Sequence, residues 1–469
     1  MKGFIFMFSK NTHVHFMGIC GIGMSGIAKI LLQQGYQVSG CDKNIDPQRA
    51  IELQQLGCKI DTHQSVLCSD PSITMLARSS DVPLSHPEII AAQQRNVPIQ
   101  LRAQILAEIM RMKTSITIAG AHGKTTTSSL LAHTLLTAKQ DPTIVVGGHM
   151  HELNSNAHSG SGELLVAEAD ESDRSFLLLP KKYSIVTNIN REHLNTYRDF
   201  DDIKQTFIQF MNQLPDDGLT ILCIDDAGIQ AVTAQLTKPY ISYGTTQQAD
   251  FYIHDIILKP DFSTFKLTDT RTHHDLGTWT VSLPGLHNVL NATSIIALCL
   301  HLNIAAQAIK DGISTFKGVD RRFTFKGISK AHGAEMFDDY GHHPREIQVT
   351  LDVAQTKAKG KVVVVFQPQR FSRTMTLWDD FIQILAHGPY DQLIITDIFA
   401  ANEQPIEGIT SPNLIAAICK ANPHANVCHI PFADNGTAII HQLDQILQPN
   451  DLLLFLGAGK VNTLAQKLL

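Results

Sequence analysis

Ser115-Ile116-Thr117-Ile118-Ala119-Gly120-Ala121-His122-Gly123-Lys124-Thr125 reads as a short β-rich strand that runs into a glycine turn and then a lysine. A helical pattern follows, from residue 124 to about 138. Strand, glycine turn and helix in this order make a phosphate-binding loop. In such a loop backbone N–H groups wrap the β- and γ-phosphates of a nucleotide, the lysine supplies charge and the following hydroxyl, here Thr125, reaches Mg²⁺. The full pattern asks for glycine at position 118, where this chain has Ile118, so the loop is a variant and its flanking strand and helix carry the reading.

Upstream, an apolar strand at 13–19 leads into Gly21-Ile22-Gly23-Met24-Ser25-Gly26, then a helical pattern ended by Gly35, then a second strand at 36–40. G-x-G-x-x-G after a strand and opening a helix is a diphosphate turn, and Asp42 stands about twenty residues on, where a ribose-binding acid belongs. The motif does not choose among NAD, FAD and a UDP-sugar, which all offer a diphosphate. Downstream, strands are expected at 163–167, 183–188 and 219–224, with an antiparallel excursion around 250–283. A third block alternates strands at 335–338, 361–366, 392–397, 426–430 and 451–456 with helical stretches. The expected architecture is α/β in three domains. Residues 1–108 and 318–469 are Rossmann-like, and residues 109–317 are P-loop ATPase-like with a mostly parallel sheet.

Glu168-Ala169-Asp170-Glu171-Ser172-Asp173 follows the strand at 163–167, and Glu192-His193 follows the strand at 183–188. Acids at the carboxyl end of a parallel strand face the crevice where a metal–ATP complex lies, although a solvated acidic turn and a surface histidine are the plainer readings of each alone. Histidine is an unusual ligand for Mg²⁺, so Mn²⁺ is expected to substitute. Across 469 residues the net charge is −6 and 43% of residues are hydrophobic, which gives no electrostatic reason to expect nucleic acid or an anionic membrane as partner. The eight cysteines form no CxxC pair and sit mostly in apolar segments, so buried thiols are expected. The apolar opening at 3–8 is too short for a signal h-region, and no stretch is long enough to span a membrane, so the expected compartment is the cytoplasm.

Five further motifs stand in order with the acidic cluster. They are Gly123-Lys124-Thr125-Thr126-Thr127, Leu286-His287-Asn288-Val289-Leu290-Asn291, Arg321-Arg322-Phe323, Asp338-Asp339-Tyr340-Gly341-His342-His343-Pro344 and Phe366-Gln367-Pro368-Gln369-Arg370-Phe371-Ser372-Arg373-Thr374. From His15 to Gly459 the chain resembles the Mur ligase family, and the last two motifs most resemble the branch that adds L-alanine to UDP-N-acetylmuramate.

The resemblance implies an ATP- and Mg²⁺-dependent ligase acting through an acyl phosphate, in peptidoglycan precursor synthesis, as monomer or homodimer. It implies that Gly18, Gly21, Gly23, Gly26 and Asp42 serve the UDP-sugar, settling the diphosphate. Gly120, Ala121, His122, Gly123, Lys124, Thr125, Thr126, Asn288, Asn291, Arg322 and Asp339 would serve ATP. Thr125, Glu168 and His193 would hold the metal. Lys124, Glu168, His193, Arg322 and Asp339 would be catalytic, and Tyr340, His342, Arg370 and Arg373 would build the amino-acid pocket. Four positions depart from the family pattern: Ala121 for threonine, Cys41 for serine, Glu192 for aspartate and Gln369 for histidine. Gln369 brings an amide that donates and accepts, so serine and glycine are expected to be used beside alanine. Competing readings are a ligase that recycles murein peptide onto UDP-N-acetylmuramate, a nicotinamide-dependent oxidoreductase built on the first glycine motif, and a non-enzymatic nucleotide switch.

Overall fold

A computed structural model describes residue 9 and residues 11–61, 70–79, 82–193 and 196–469; the apolar opening at 3–8 and Cys68 lie outside these residues. The first sheet is built from β1 (His13–Met17), α1 (Ile22–Gln33), β2 (Gln37–Cys41), α2 (Pro47–Gln55), β3 (Lys59–Asp61), β4 (Met75–Arg78), α3 (Pro87–Gln94) and β5 (Ile99–Leu101), and α4 (Arg102–Arg111) leaves it. Strand order is β3-β2-β1-β4-β5, with every pair parallel. The order reverses at β1, and the crevice beyond the carboxyl end of that strand is where an open α/β sheet binds its ligand. Gly35, at φ +84, ends α1 as its position in the sequence foretells.

The second sheet takes β6 (Thr114–Ala119), α5 (Lys124–Thr137), β7 (Thr143–Met150), β8 (Ser155–His158), β9 (Leu164–Glu168), β10 (Tyr183–Val186), α6 (Phe200–Asn212), β11 (Leu219–Cys223), α7 (Ala227–Gln230) and β12 (Tyr240–Gly244). Then come β13 (Phe251–Leu258), β14 (Ser263–Asp269), β15 (His274–Val281), α8 (Leu286–His301) and α9 (Ala306–Thr315). Its ten strands run in the order β15-β14-β13-β12-β11-β10-β6-β9-β7-β8. The strand of the phosphate loop, β6, lies between β10 and β9, parallel to both. Connections as short as those joining β13, β14 and β15 permit only antiparallel neighbours, so the excursion around 250–283 is a meander on an otherwise mainly parallel sheet.

The third sheet comprises β16 (Thr324–Ile328), β17 (Glu335–Asp339), α10 (Pro344–Lys357), β18 (Val362–Phe366), α11 (Phe371–Thr376), α12 (Trp378–His387), β19 (Gln392–Ile395), α13 (Ser411–Ala421), β20 (Val427–His429), α14 (Thr437–Ile446) and β21 (Leu452–Leu456). Strand order is β16-β17-β21-β18-β19-β20, antiparallel only at the β16 edge. Val362, Val364 and Phe366 join one core while Val363 and Val365 join the other; Leu452, Leu454 and Leu456 alternate with Leu453 and Phe455 in the same way. A strand covered on both faces has to be apolar throughout, which is why these read as unbroken apolar runs.

By contacts the chain forms two compact units. One takes residues 1–256, 264–281 and 289–317; the other takes 257–263, 282–288 and 318–469. Among the described residues no helix is long and apolar enough to cross a membrane.

Candidate functional site

The glycine turn after β6 has its shape because two positions reject a side chain. Gly120 sits at φ +135, and a Cβ there would fall 2.2 Å from Thr187 Oγ1. Gly123, at φ +82, is the N-cap of α5, with Asn291 Oδ1 3.1 Å from where its Cβ would be. The turn is tied to the end of β10: Asn188 Oδ1 accepts from the His122 N–H at 2.9 Å, while Thr187 Oγ1 and Asn188 Nδ2 donate to the His122 carbonyl at 2.6 and 2.9 Å. Backbone held in this way is a preformed cradle for phosphate.

Lys124 Nζ donates to the carbonyls of Gly120 (2.6 Å) and Ala121 (3.2 Å) and to Glu171, whose two oxygens lie 3.0 and 2.8 Å away. Burial opposes its charge, but Glu171, Asp170 and Glu168 outweigh that and hold its pKa above the ordinary lysine value. Thr125 Oγ1 donates to Glu168 at 3.0 Å, and the Gly147 N–H of β7 donates to the same carboxylate at 2.9 Å. Burial pushes the Glu168 pKa up against the pull of Lys124. Burial would also raise Asp170, yet Lys124 and Arg102 hold it low; the Arg102 guanidinium lies 3.7 Å from it.

Of the expected metal ligands, Glu168 is held by Thr125 and Gly147, and His193 by two other carboxylates. His193 Nε2 is 3.4 Å from Glu171 and 3.4 Å from Glu192, and these three residues are the group around the loop whose donor atoms all lie within 4.8 Å of one another among the described residues. Burial opposes its protonation, but the two carboxylates raise the His193 pKa to about 9. Its backbone at φ +55 is strained for a residue with a Cβ. Glu171 is therefore the residue that the sequence reading missed: it touches both Lys124 and His193, and only its place in the acidic run could have signalled it. Asn188 and Gly147, also unforeseen, carry no comparable signal.

At the first glycine motif a cavity of about 790 Å³ is lined by Gly18, Gly21, Asp42, Lys43, Arg49 and His86, among others. Gly18 takes φ +79 and Gly21 is the N-cap of α1, with no side chain capping the helix. Asp42 staples the turn: Oδ2 accepts from the Cys20 N–H at 2.8 Å and Oδ1 from the Asn44 N–H at 2.9 Å. Gly23 and Gly26, expected at the diphosphate with the other two, do not line the cavity. A Cβ on Gly23 would meet Arg102 Nη1 at 2.8 Å, and one on Gly26 would meet Asn156 Nδ2 at 2.9 Å. Both are glycine because another chain segment packs on them.

In the other unit Asp339 is buried, its Oδ2 accepting from the Phe323 N–H at 2.8 Å and its Oδ1 from the Gly341 N–H at 2.7 Å; burial raises its pKa against the pull of Arg322. The Tyr340 ring lies under two guanidiniums, Arg321 at 4.8 Å and Arg322 at 5.7 Å, and meets His342 edge-on at 5.3 Å. Arg370, at φ +68, opens α11, and Arg373 Nη1 donates to Gln369 Oε1 at 2.7 Å. The Gln369 oxygen thus serves Arg373, and an amide oxygen has a second lone pair with which to accept. Asn288 Nδ2 donates to the Pro284 carbonyl at 2.7 Å; Asn291 follows one turn later on α8, and Thr126 lies on the first turn of α5.

Comparison with protein-family models matches residues 13–114 to the Mur ligase family catalytic domain, 118–299 to the Mur ligase middle domain and 321–459 to the Mur ligase glutamate ligase domain. A Geobacter sp. protein named UDP-N-acetylmuramate–L-alanine ligase is 44% identical over 460 residues, covering 97% of this chain and 96% of its own. One of the same name from Geotalea uraniireducens is 43% identical over 472 residues, covering 98% and 99%. The crystal structure of the UDP-N-acetylmuramate–alanine ligase of Thermotoga maritima superposes with a TM-score of 0.78 at 23% identity, over 97% of this chain and 98% of that one. A murein peptide ligase from Psychrobacter arcticus gives 0.72 at 22%, with the same coverage, and shares the fold. With full-length identity of this order to several relatives, the chain belongs to the Mur ligase family.

Proposed function

We propose that the chain joins L-alanine to the carboxylate of UDP-N-acetylmuramate with ATP, forming ADP and phosphate. The observation that carries this reading is the presence, in a chain 40–44% identical to alanine-adding ligases along its length, of two separate phosphate-binding turns. One sits at Gly120–Thr125 with a lysine, the other at Gly18–Gly21 beside the cavity. A nicotinamide-dependent oxidoreductase would leave the first of these idle. The murein peptide reading rests on a relative at 22% identity, which speaks only to fold.

The muramate carboxylate attacks the γ-phosphate, giving an acyl phosphate and ADP; the alanine amine then attacks the acyl carbon, and phosphate leaves. No covalent enzyme intermediate is needed, so positioning and charge neutralisation supply the catalysis. Lys124, released from Glu171 to the β- and γ-phosphates, neutralises charge that grows in the transition state, and the Gly120–Gly123 backbone fixes the phosphates. Thr125, Glu168, Glu171, Glu192 and His193 are the donors available to the ion; the oxygens suit Mg²⁺, and the imidazole favours Mn²⁺ in its place. When bound, the ion supplies charge stabilisation of the transferred phosphoryl group. Asn288 and Asn291 serve adenine, Arg322 and Asp339 complete the ATP site, and Tyr340, His342, Arg370 and Arg373 receive the amino acid.

The test is phosphate release with UDP-N-acetylmuramate, ATP and Mg²⁺, adding each amino acid in turn and L-alanyl-γ-D-glutamyl-diaminopimelate. Turnover that needs all three substrates and is fastest with L-alanine is expected. ATP hydrolysis indifferent to the amino acid, or faster ligation of the peptide, rejects the proposal.

A further inference from the structure

His15, Cys41 and Glu88 meet in the core of the first sheet. Parallel register pairs Met17 with Cys41 and His15 with Ser39, so the imidazole and thiol belong to adjacent strands, and α3 brings Glu88 over them. Their exposures are 0%, 5% and 2%, and one donor atom from each lies within 4.8 Å of the other two. Cys41 Sγ donates to Glu88 Oε2 at 3.1 Å. Ser39 Oγ stands between two imidazoles, 2.9 Å from His15 Nδ1 and 2.8 Å from His13 Nε2. That contact orients the His15 ring, and its Nε2 is buried with no hydrogen-bond partner among the described residues. A buried polar nitrogen left in that condition is destabilising unless something binds it. Burial, with His13 beside it, pushes the His15 pKa down to about 4, so the ring is the neutral ligand form at physiological pH.

We propose that His15, Cys41 and Glu88 form a binding site for a soft divalent transition-metal ion, with zinc as its first occupant. Thiolate and carboxylate together neutralise a dication, which removes the usual objection to charge in a core. Thiolate and imidazole favour Zn²⁺ over the Mg²⁺ of the phosphate loop. Ligands about 2.0–2.3 Å from a tetrahedral ion stand roughly 3.5 Å apart, so the sulfur–carboxylate pair is already in range and the imidazole needs only a modest shift. Cys41 also lines the 790 Å³ cavity, which gives the ion an entry path and an open fourth position. On binding, the Cys41 S–H bond breaks, a sulfur–metal bond forms and one proton goes to solvent.

The test uses the full chain, stripped with chelator and titrated with cobalt chloride. A thiolate-to-cobalt charge-transfer band saturating at one equivalent, with one proton released and the band erased by zinc, is the expected result. Cys41→Ser, which retains a hydroxyl for Glu88, loses the band and binds zinc about a hundredfold more weakly. Glu88→Gln weakens zinc at least tenfold and guards against a misfolded serine variant, as does circular dichroism of both. Cys20→Ala, altering the other thiol of the same cavity, keeps the band. No band in the wild type at stoichiometric cobalt, or a band that survives Cys41→Ser, overturns the site and leaves only an internal hydrogen-bonded cluster.

Discussion

Lys124 rests against both oxygens of Glu171, and that contact decides which acids of the 168–173 run matter. Glu168 takes the Thr125 hydroxyl, Glu171 takes the lysine and His193, and Asp173 merely accepts from the Ser175 N–H at 2.9 Å. Glu168→Gln, Glu171→Gln and His193→Ala are therefore expected to raise the Mg²⁺ requirement and cut turnover about tenfold or more, each removing a cation contact of the kind that counts in the transition state. Asp173→Asn should stay near wild type. Turnover measured against Mg²⁺ decides it: equal damage from all four variants would mean that the acids act by holding the loop's shape. A similar argument applies at Gln369, whose oxygen holds Arg373. Replacing Gln369 with Leu should raise KM for L-alanine about tenfold with kcat little changed, since it frees a carboxylate-binding fork without touching phosphoryl transfer. A fall confined to kcat would place Gln369 at the reacting atoms instead.

At the scale of elements, the strands that carried the sequence reading are those whose chemistry is one-sided or uniform. β18 and β21 are apolar on both faces, and β6 runs into a turn whose Gly120 and Gly123 both take positive φ. The β7–β8 hairpin was not foreseen, because Gly147, Gly148 and His149 interrupt any apolar pattern. It nevertheless joins the two glycine motifs: Gly147 holds Glu168, while Ser155 and Asn156 accept from the buried Lys29 of α1 at 3.1 and 3.0 Å, and Asn156 donates to the Ile22 carbonyl. Lys29 also pairs with Glu52. Lys29→Met keeps the apolar stem but leaves three partners unserved, so a loss of about 2–3 kcal/mol in unfolding free energy is expected, below the upper range for a buried pair because Glu52 is partly exposed. Urea unfolding checks it. A variant as stable as wild type would show that the hairpin is held by packing at Gly26 alone.

Over the whole molecule, the sequence speaks most clearly where recognition lies in the backbone. The two turns are written in glycines and a lysine, and their place between strand and helix could be read from residues alone. Pairings across the fold could not: that Gly23 faces Arg102, that Gly26 faces Asn156 and that His193 joins Glu171 are set by how distant segments meet, which no local pattern encodes. The separation of the two turns gives the sharpest test of the assignment. Among the described residues Lys124 bonds to Gly120, Ala121 and Glu171, none of which lines the Gly18–Gly21 cavity. Lys124→Ala should accordingly remove roughly 3 kcal/mol or more of transition-state stabilisation, a turnover loss beyond a hundredfold. Binding of UDP-N-acetylmuramate, measured by calorimetry without nucleotide, should be unchanged. A variant retaining more than about a tenth of wild-type turnover cannot have lost the charge that neutralises the transferred phosphoryl group. One that loses sugar-nucleotide binding together with turnover would make the two turns parts of a single site.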